Sequence, residues 1–383
     1  DISAERLTVQ DHTLKGLAAS GTWVKNALSL NGFSVKDFAG AAAQAKGKVD
    51  NIQTLQGVDM TLGAQANDVQ AVAKVLGLDA SSLPDNLGRT DVSAALKGSA
   101  DNMNVLANIK ALSGEVIVQG AVADPLGAMK ADKMSLQVKH RSVNEAINIF
   151  APGSGNYASL NGPLDFYTDV QIADKVTKMN NIKARLAGAS LQGQLSVNTG
   201  SSKPDVAGAF TFDNLVIQSA AGSSAAASGG SGAAPQWSRE AIDTAWMHGM
   251  NFDVSLSGNS LKYEGWDLVK PAIKAKLNDG MLSISQLDAG MFDGQINMKA
   301  SVQAGKGERQ PLQIQADAKI RDVSLEPLVK AFVGVPLIKG SGRISMDNVV
   351  SASGISPAAL VYDLSGNGMV TGKQIVLDGL DLT

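Results

Sequence analysis

Residues 279–302 contain two runs in which apolar and polar side chains alternate, and each run follows an aspartate-glycine pair. The pairs are Asp279-Gly280 and Asp293-Gly294. Aspartate-glycine between alternating runs indicates a β-hairpin, because a two-residue turn of type I′ needs positive φ at both central positions. Successive side chains of a strand point to opposite faces, so each run predicts a strand with one apolar and one polar face.

The composition favours strands and turns over helices throughout the chain. Aspartate outnumbers glutamate by 29 to 7, the chain has 40 glycines, and aromatic residues make up only 4% of it. Helix-rich soluble proteins use more glutamate, leucine and lysine. At 383 residues the chain is long enough for two or three globular domains or for one elongated repeat array.

The charge and cysteine content exclude several classes of protein. A formal net charge of -3, with the basic residues spread along the chain, offers no positive surface for nucleic acid. The chain has no cysteine, so it contains neither disulfides nor thiolate metal ligands. No stretch approaches the roughly 18 to 20 apolar residues of a membrane span. We expect the sequence to be part of a longer protein whose targeting or anchoring segment lies outside it.

A repeat of about 74 residues organises the sequence. Ile109-Lys110-Ala111 follows a similar tripeptide, Val35-Lys36-Asp37, at a distance of 74 residues, and Ile182-Lys183-Ala184 follows after 73 more. The next copy, Ile273-Lys274-Ala275, comes 91 residues later. The alanine, glycine and serine stretch 219–235 accounts for the excess of 17. Such a stretch buries too little surface to order itself, and we predict a flexible loop there.

Each repeat is predicted to hold one short amphipathic helix followed by several strands. Apolar residues at helical spacing follow the candidate N-caps Asp68 and Ser142, giving helices at 69–76 and 143–150, and looser copies occur at 238–247 and 324–333. The predicted organisation is an N-terminal set of β repeats at 1–218, the loop at 219–235, and a C-terminal set at 236–383.

The strands alternate strongly enough to predict a sheet with one apolar face. We expect a mainly β fold: an elongated, curled, antiparallel sheet, open like a groove, built from the 74-residue repeats with one short helix each. The apolar positions of the alternating runs are the candidate groove residues: Val92, Ala94, Leu96, Val116, Val118, Leu191, Leu195, Val197, Phe252, Val254, Leu256, Leu282, Ile284, Ile296, Met298, Leu312, Ile314, Ala316, Ala318, Ile320, Ile344 and Met346.

No catalytic or metal-binding constellation stands out in the sequence. The three histidines, His12, His140 and His248, are far apart and lack a second ligand at helical or hairpin spacing. The run Gly366-Asn367-Gly368 lacks the lysine and following helix of a phosphate loop, and we interpret it as a hairpin turn. The aspartates before glycine are interpreted as turn residues. We therefore predict no enzyme, no cofactor and no metal.

Two stretches resemble the AsmA-like family of Gram-negative envelope proteins, which includes the AsmA and TamB types. The first stretch has DGMLS at 279–283 and FDGQI at 292–296. The second has GSG at 340–342, SPAAL at 356–360, LSG at 364–366 and DGLDL at 378–382. The family usually has isoleucine where Leu380 stands, which is a conservative departure. The resemblance is clear over 236–383, whereas 1–218 share mainly the style of the repeat.

The resemblance implies an inner-membrane anchor followed by a periplasmic curled sheet with an apolar channel. It also implies bridge-like transfer of phospholipid between the membranes and a part in outer-membrane biogenesis. The expected partners are phospholipid acyl chains and either membranes or envelope proteins, in the periplasm, with an anchor outside this sequence. From alternation alone, the apolar residues could instead pack a closed β core.

Two other classes of protein stay open. One is a structural or adhesive β-repeat protein of the autotransporter type without lipid cargo, although its rungs would repeat every 20 to 30 residues and rarely carry a helix. The other is a polysaccharide-active enzyme, which would need paired carboxylates in a cleft.

Overall fold

The computed structural model describes residues 1–9, 12–75, 87–125, 127–150, 157–218, 237–263, 266–305, 307, 310–333 and 339–378. The chain forms two compact units, the first of Asp1–Ser154 and Gly162–Gly188, the second of Gly155–Asn161 and Ala189–Thr383. Both are built mainly from antiparallel strands, so the predicted fold class is confirmed. The predicted loop at 219–235 lies outside the described residues.

The first unit is a meander in which each strand pairs antiparallel with the next along the chain. Its strands are β1 (Ile2–Val9), β2 (His12–Val24), β3 (Ala27–Phe38), β4 (Ala41–Val49), β5 (Val58–Ala66), β6 (Thr90–Ser99), β7 (Asn102–Ala111), β8 (Gly114–Ala123), β9 (Lys130–His140), β10 (Leu164–Ala173) and β11 (Val176–Leu186). Its helices are α1 (Val69–Val75) and α2 (Val143–Phe150).

The second unit continues the same pattern with longer strands. Its strands are β12 (Ala189–Asn198), β13 (Asp205–Ile217), β14 (Asn251–Tyr263), β15 (Trp266–Asn278), β16 (Met281–Met291), β17 (Gly294–Gln303), β18 (Leu312–Ser324), β19 (Lys339–Gly354) and β20 (Ser365–Asp378). Its helices are α3 (Leu325–Val333) and α4 (Pro357–Tyr362), and the 3₁₀ turns are Ala158–Leu160 and Ala245–His248. No helix among the described residues is both long and apolar enough to span a bilayer.

The 74-residue repeat is visible in the elements themselves. Helices α1 and α2 begin at Val69 and Val143, 74 residues apart, and β6 and β10 begin at Thr90 and Leu164 with the same separation. Each predicted N-cap accepts a backbone N–H three residues on: Asp68 Oδ1 from Ala71 and Ser142 Oγ from Glu145. The helices at 143–150 and 324–333 are confirmed, as is the described part of the helix at 69–76.

One strand pair departs from the antiparallel pattern. Strands β13 and β14 are parallel, with Val206 beside Phe252 and Phe210 beside Leu256. A parallel pair needs a connection of a dozen or more residues, and residues 218–250 lie between the two strands along the chain. The predicted helix at 238–247 is wrong, because only Ala245–His248 of this stretch forms a single 3₁₀ turn.

Two of the predicted turns are placed differently. Asp279 and Gly280 have positive φ and form the β15–β16 turn as predicted, but the next turn uses Phe292 and Asp293, with φ of 47° and 62°. Gly294 already belongs to β17. A Cβ there would lie 2.3 Å from the carbonyl oxygen of Arg321, so glycine is needed for close strand approach.

The predicted hairpin turn at Gly366-Asn367-Gly368 is also wrong. These residues lie inside β20 and pair with β19, with Gly366 opposite Val350 and Gly368 opposite Asn348. A Cβ on Gly366 would lie 2.3 Å from the carbonyl oxygen of Val349. Close packing on the neighbouring strand, not a turn, therefore explains these glycines. The turn expected at Asp378-Gly379 lies outside the described residues, since Gly379 is not among them.

Candidate functional site

The strand register of the second unit brings the predicted apolar residues onto one face of its sheet, here called the apolar face. Directly opposed residues of neighbouring strands share a face, so the pairs can be followed from β12 to β19. Two central rows cross the middle of the strands. Central row A is Leu195, Gly208, Val254, Ala275, Ile284, Ala300, Ala316 and Val350. Central row B is Gly193, Phe210, Leu256, Ile273, Leu287, Met298, Ala318 and Asn348.

Packed clusters cover the apolar face at both ends of the strands. At one end the 3₁₀ turn Ala245–His248 places Met247 against Leu277 and Ala304, and these three side chains are 3%, 1% and 3% exposed. At the other end α3 places Leu328 against Val323 and Met291. Both clusters are sealed by the protein itself, so neither end offers room for a ligand.

The central rows have no such cover among the described residues. All sixteen of their positions are half-buried, none fully buried. Strands on both sides already shield these residues within the sheet, so their remaining exposure is through the face. A concavity of about 1000 Å³ along β16 to β20 is lined mainly by two rows of the opposite face, one with Ser283, Ser301 and Gln315 and the other with Lys299 and Asp317, so it does not belong to the apolar face.

The predicted groove residues of the second unit divide between the central rows and the packed ends. Leu195, Val254, Leu256, Ile284, Met298, Ala316 and Ala318 lie in the central rows. Ile320, Ile296, Ile344 and Met346 belong to the cluster beneath α3. Phe252 and Leu282 pack against the cluster of Met247, Leu277 and Ala304 at the other end. The remaining ones flank the central rows, where Leu191 pairs with Phe212, Val197 with Val206, Leu312 with Gly354 and Ile314 with Ala352.

Several members of the central rows were not predicted. Ile273 and Leu287 lie beside β-bulges at Val269/Ala272 and Ile284/Leu287, where the alternation of apolar and polar residues is interrupted. Phe210 lies in the parallel pair of β13 and β14, and Val350 pairs with Gly366 of β20. In each case the sequence shows that the residue is apolar. The face of the sheet on which the residue lies depends on the irregular strand register, which the sequence pattern does not show.

The first unit has an apolar face of the same kind. The five residues predicted there share it: Val92, Ala94, Leu96, Val116 and Val118. The row through Leu62, Ala94, Ala107, Val118 and Leu136 crosses β5 to β9. Leu62 is 37% exposed although strands flank it on both sides, so the middle of this face is open as well. The turn with Ile52 and Leu55 packs over one end of the strands.

The opposite face of the sheet is polar and held by charge pairs. Along β18 the outward residues Gln313, Gln315, Asp317, Lys319 and Arg321 are all exposed. Arg321 forms an ion pair with Asp347 on β19 at 3.0 Å. This face therefore stays hydrated while the other face presents hydrocarbon.

Hydrogen bonds lower the pKa of several carboxyl groups on the polar side. Asn297 and Gln286 donate to Asp288 and lower the pKa of its carboxyl group. The backbone N–H groups of Asn214 and Ser190 do the same to Asp213. These carboxylates belong to structural networks, and each has its partner in a neighbouring residue or strand.

His140 and His248 have structural contacts. Both ring nitrogens of His140 lie 2.7 Å from backbone carbonyl oxygens, those of Ser142 and Leu112. His248 Nε2 lies 3.0 Å from the carbonyl oxygen of Gly305. The described part of the chain contains no group of three or more histidine, cysteine or acidic residues arranged to hold a metal ion.

Comparison with known proteins identifies the family directly. A search of curated proteins finds no match. The family model described as the AsmA family matches residues 3–383, which extends the resemblance of 236–383 to the first unit. That family is associated with the cell envelope and is not known as an enzyme family. Because the match runs through both units and all of their repeats, this chain belongs to the AsmA family.

Proposed function

We propose that the open apolar face binds the acyl chains of phospholipids and conducts them along the sheet. The protein would act in the periplasm, anchored in the inner membrane by a segment outside this sequence, and would support lipid supply to the outer membrane. One observation carries the proposal: the two central rows are apolar except for Asn348 on β19, yet no element among the described residues covers them. A closed β core would bury these rows fully.

The energetics favour hydrocarbon as the occupant. Moving a methylene group from water to an apolar surface stabilises the complex by about 0.8 kcal/mol, whatever the head group. The central rows cross eight strands, and at about 4.8 Å per strand they provide a path of roughly 34 Å. A chain lying across the strands meets apolar side chains or glycines from β12 to β18, and Asn348 or Val350 on β19. Movement along it exchanges one apolar contact for a similar one, so no large barrier is expected.

Small residues keep the path from being filled by the protein's own side chains. On β17 and β18 the central rows contain Ala300, Ala316 and Ala318. Beyond β19, the two rows continue to Gly366 and Gly368 of β20. The covered ends of the strands form walls on both sides of this path. A polar head group would remain on the water side, above the central rows.

Native mass spectrometry tests the proposal. The protein is purified from a bacterial envelope without detergent, together with Ala316→Trp, which fills the central rows, and Gln315→Trp, which adds the same bulk to the polar face. We expect phospholipid on the wild-type protein and on Gln315→Trp, and much less on Ala316→Trp. Lipid-free wild-type protein would contradict lipid conduction and favour a structural or adhesive role.

A further inference from the structure

Asn348 is the one polar side chain in the two central rows, which are described completely from β12 to β19. It lies on β19 between Ala318 of β18 and Gly368 of β20. The residues two positions away on the same strand, Met346 and Val350, are apolar. An amide in this position interrupts an otherwise continuous hydrocarbon surface.

The neighbouring strand is shaped to accommodate the Asn348 side chain. A Cβ on Gly368 would lie 1.8 Å from Asn348 Oδ1 and 2.8 Å from its Cγ, so the amide lies over the glycine. Only a residue without a side chain fits opposite this conformation. The amide is thereby held on the apolar face, half-buried, above the middle of the path.

The Asn348 amide makes no hydrogen bond with any described residue. Polar side chains on the apolar face of the first unit behave differently, because Thr168 Oγ1 donates to the carbonyl oxygen of Asn180 at 2.9 Å and Thr90 Oγ1 donates to that of Gly88. Both ring nitrogens of His140 also meet backbone carbonyls. Asn348 is therefore available to a ligand.

We propose that Asn348 donates a hydrogen bond to the acyl ester carbonyl of a diacyl lipid bound on the apolar face. The inference rests on the proposed lipid-binding function and assigns a position to the bound molecule. Water can satisfy the amide while the face is empty, but acyl chains displace that water, and a buried amide without a partner is unfavourable. The ester carbonyl is the acceptor that lies next to the hydrocarbon of such lipids. Asn348 thus marks a position on the path at which the ester region of the lipid binds.

Paired lipid probes test this contact. Binding of a dioleoyl ester phosphatidylethanolamine and of its dialkyl ether analogue, which lacks both carbonyl groups, is compared by native mass spectrometry on wild-type protein, Asn348→Leu and Asn348→Asp. Asn348→Leu removes the hydrogen-bonding group. Asn348→Asp keeps the shape but replaces the donor by a carboxylate. Thermal unfolding checks that each variant is folded.

We expect the wild-type protein to prefer the ester lipid by roughly tenfold, the equivalent of about 1.4 kcal/mol. Both variants should lose this preference, measured for each variant as the ratio of ester to ether lipid bound. Equal binding of the two lipids by the wild-type protein, or an unchanged preference in Asn348→Leu, would overturn the role of Asn348 while leaving lipid binding intact. Absence of binding by both phospholipid probes would overturn the proposed function as well.

Discussion

Replacing Leu256 with aspartate places a charge in the middle of the proposed lipid path. Leu256 lies in central row B, between Phe210 of β13 and Ile273 of β15, and is half-buried. The path is open at this point, so a carboxylate can remain hydrated when no lipid is bound. We therefore expect the variant to fold, with a loss of about 1 to 2 kcal/mol in the free energy of unfolding.

The loss in the free energy of lipid binding should be larger than the loss in the free energy of unfolding. Burying a leucine side chain against an acyl chain contributes about 2 kcal/mol, which corresponds to roughly thirtyfold in the dissociation constant. Covering the aspartate with hydrocarbon adds a further cost. The expected result is thus at least a thirtyfold weaker binding of phospholipid.

The assay is displacement of a fluorescent phospholipid from purified protein, with thermal unfolding measured on the same samples. Ser255→Asp is the matched control, because Ser255 is adjacent but on the polar face, opposite Lys274. It should bind lipid as the wild-type protein does. Binding of folded Leu256→Asp within threefold of wild type, or an equal loss of affinity in Ser255→Asp, would contradict a lipid path over Leu256.

Three further predictions concern the scaffold. Gly294→Ala brings a Cβ within 2.3 Å of a carbonyl oxygen on the neighbouring strand and should lower the free energy of unfolding by about 1 to 3 kcal/mol, whereas Gly32→Ala, with no atom within 4 Å, should change it little; equal losses in denaturant unfolding would contradict the strand geometry. Leu328→Ala should cost about 2 to 4 kcal/mol and speed amide hydrogen exchange in α3, because Leu328 is 4% exposed in the cluster that holds this helix; unchanged exchange would mean that the cluster does not anchor it. The pKa of Asp213 is lowered from 3.8 by backbone N–H donors, so its stabilising effect is present above that value and is lost as the pH falls through the lower pKa of the folded state. Asp213→Asn should therefore weaken the dependence of the melting temperature on pH below about 4, and an unchanged acid profile would show that these hydrogen bonds do not stabilise the fold.

Local sequence patterns predicted the repeating elements well. The caps Asp68 and Ser142 hydrogen-bond within three residues along the chain, and the alternation along β18 is a property of that strand alone. Such features depend on nearby residues, so one sequence is sufficient to identify them. The helices at 143–150 and 324–333, the described part of the helix at 69–76, the hairpin strands and the 74-residue repeat followed from them.

Features that depend on distant residues were missed or misplaced. Gly366 and Gly368 suggested a turn, but their role is to approach β19, which no local pattern reveals. The parallel pairing of β13 and β14 joins two strands that are separated by residues 218–250 along the chain, and no local pattern in either strand indicates it. These outcomes are set by packing between strands, not by the propensity of either segment.

The candidate site shows the same limit. Alternation assigned both Ile320 and Ala316 to the apolar face, and the register agrees. The alternation of apolar and polar residues could not show that Ile320 is 6% exposed beneath α3 while Ala316 lies in the uncovered central row A. Cover depends on where α3 and the 3₁₀ turn at Ala245–His248 pack, which the periodicity of a strand does not encode.

Site-specific photocrosslinking to phospholipid in living cells tests the central claim most directly. A photoreactive amino acid is placed in turn at Leu256 and Ala316 on the apolar face, and at Ser255 and Gln315 on the polar face. We predict lipid adducts at the first two positions and none above background at the other two. Adducts on both faces alike, or on neither, would contradict a lipid path along the apolar face.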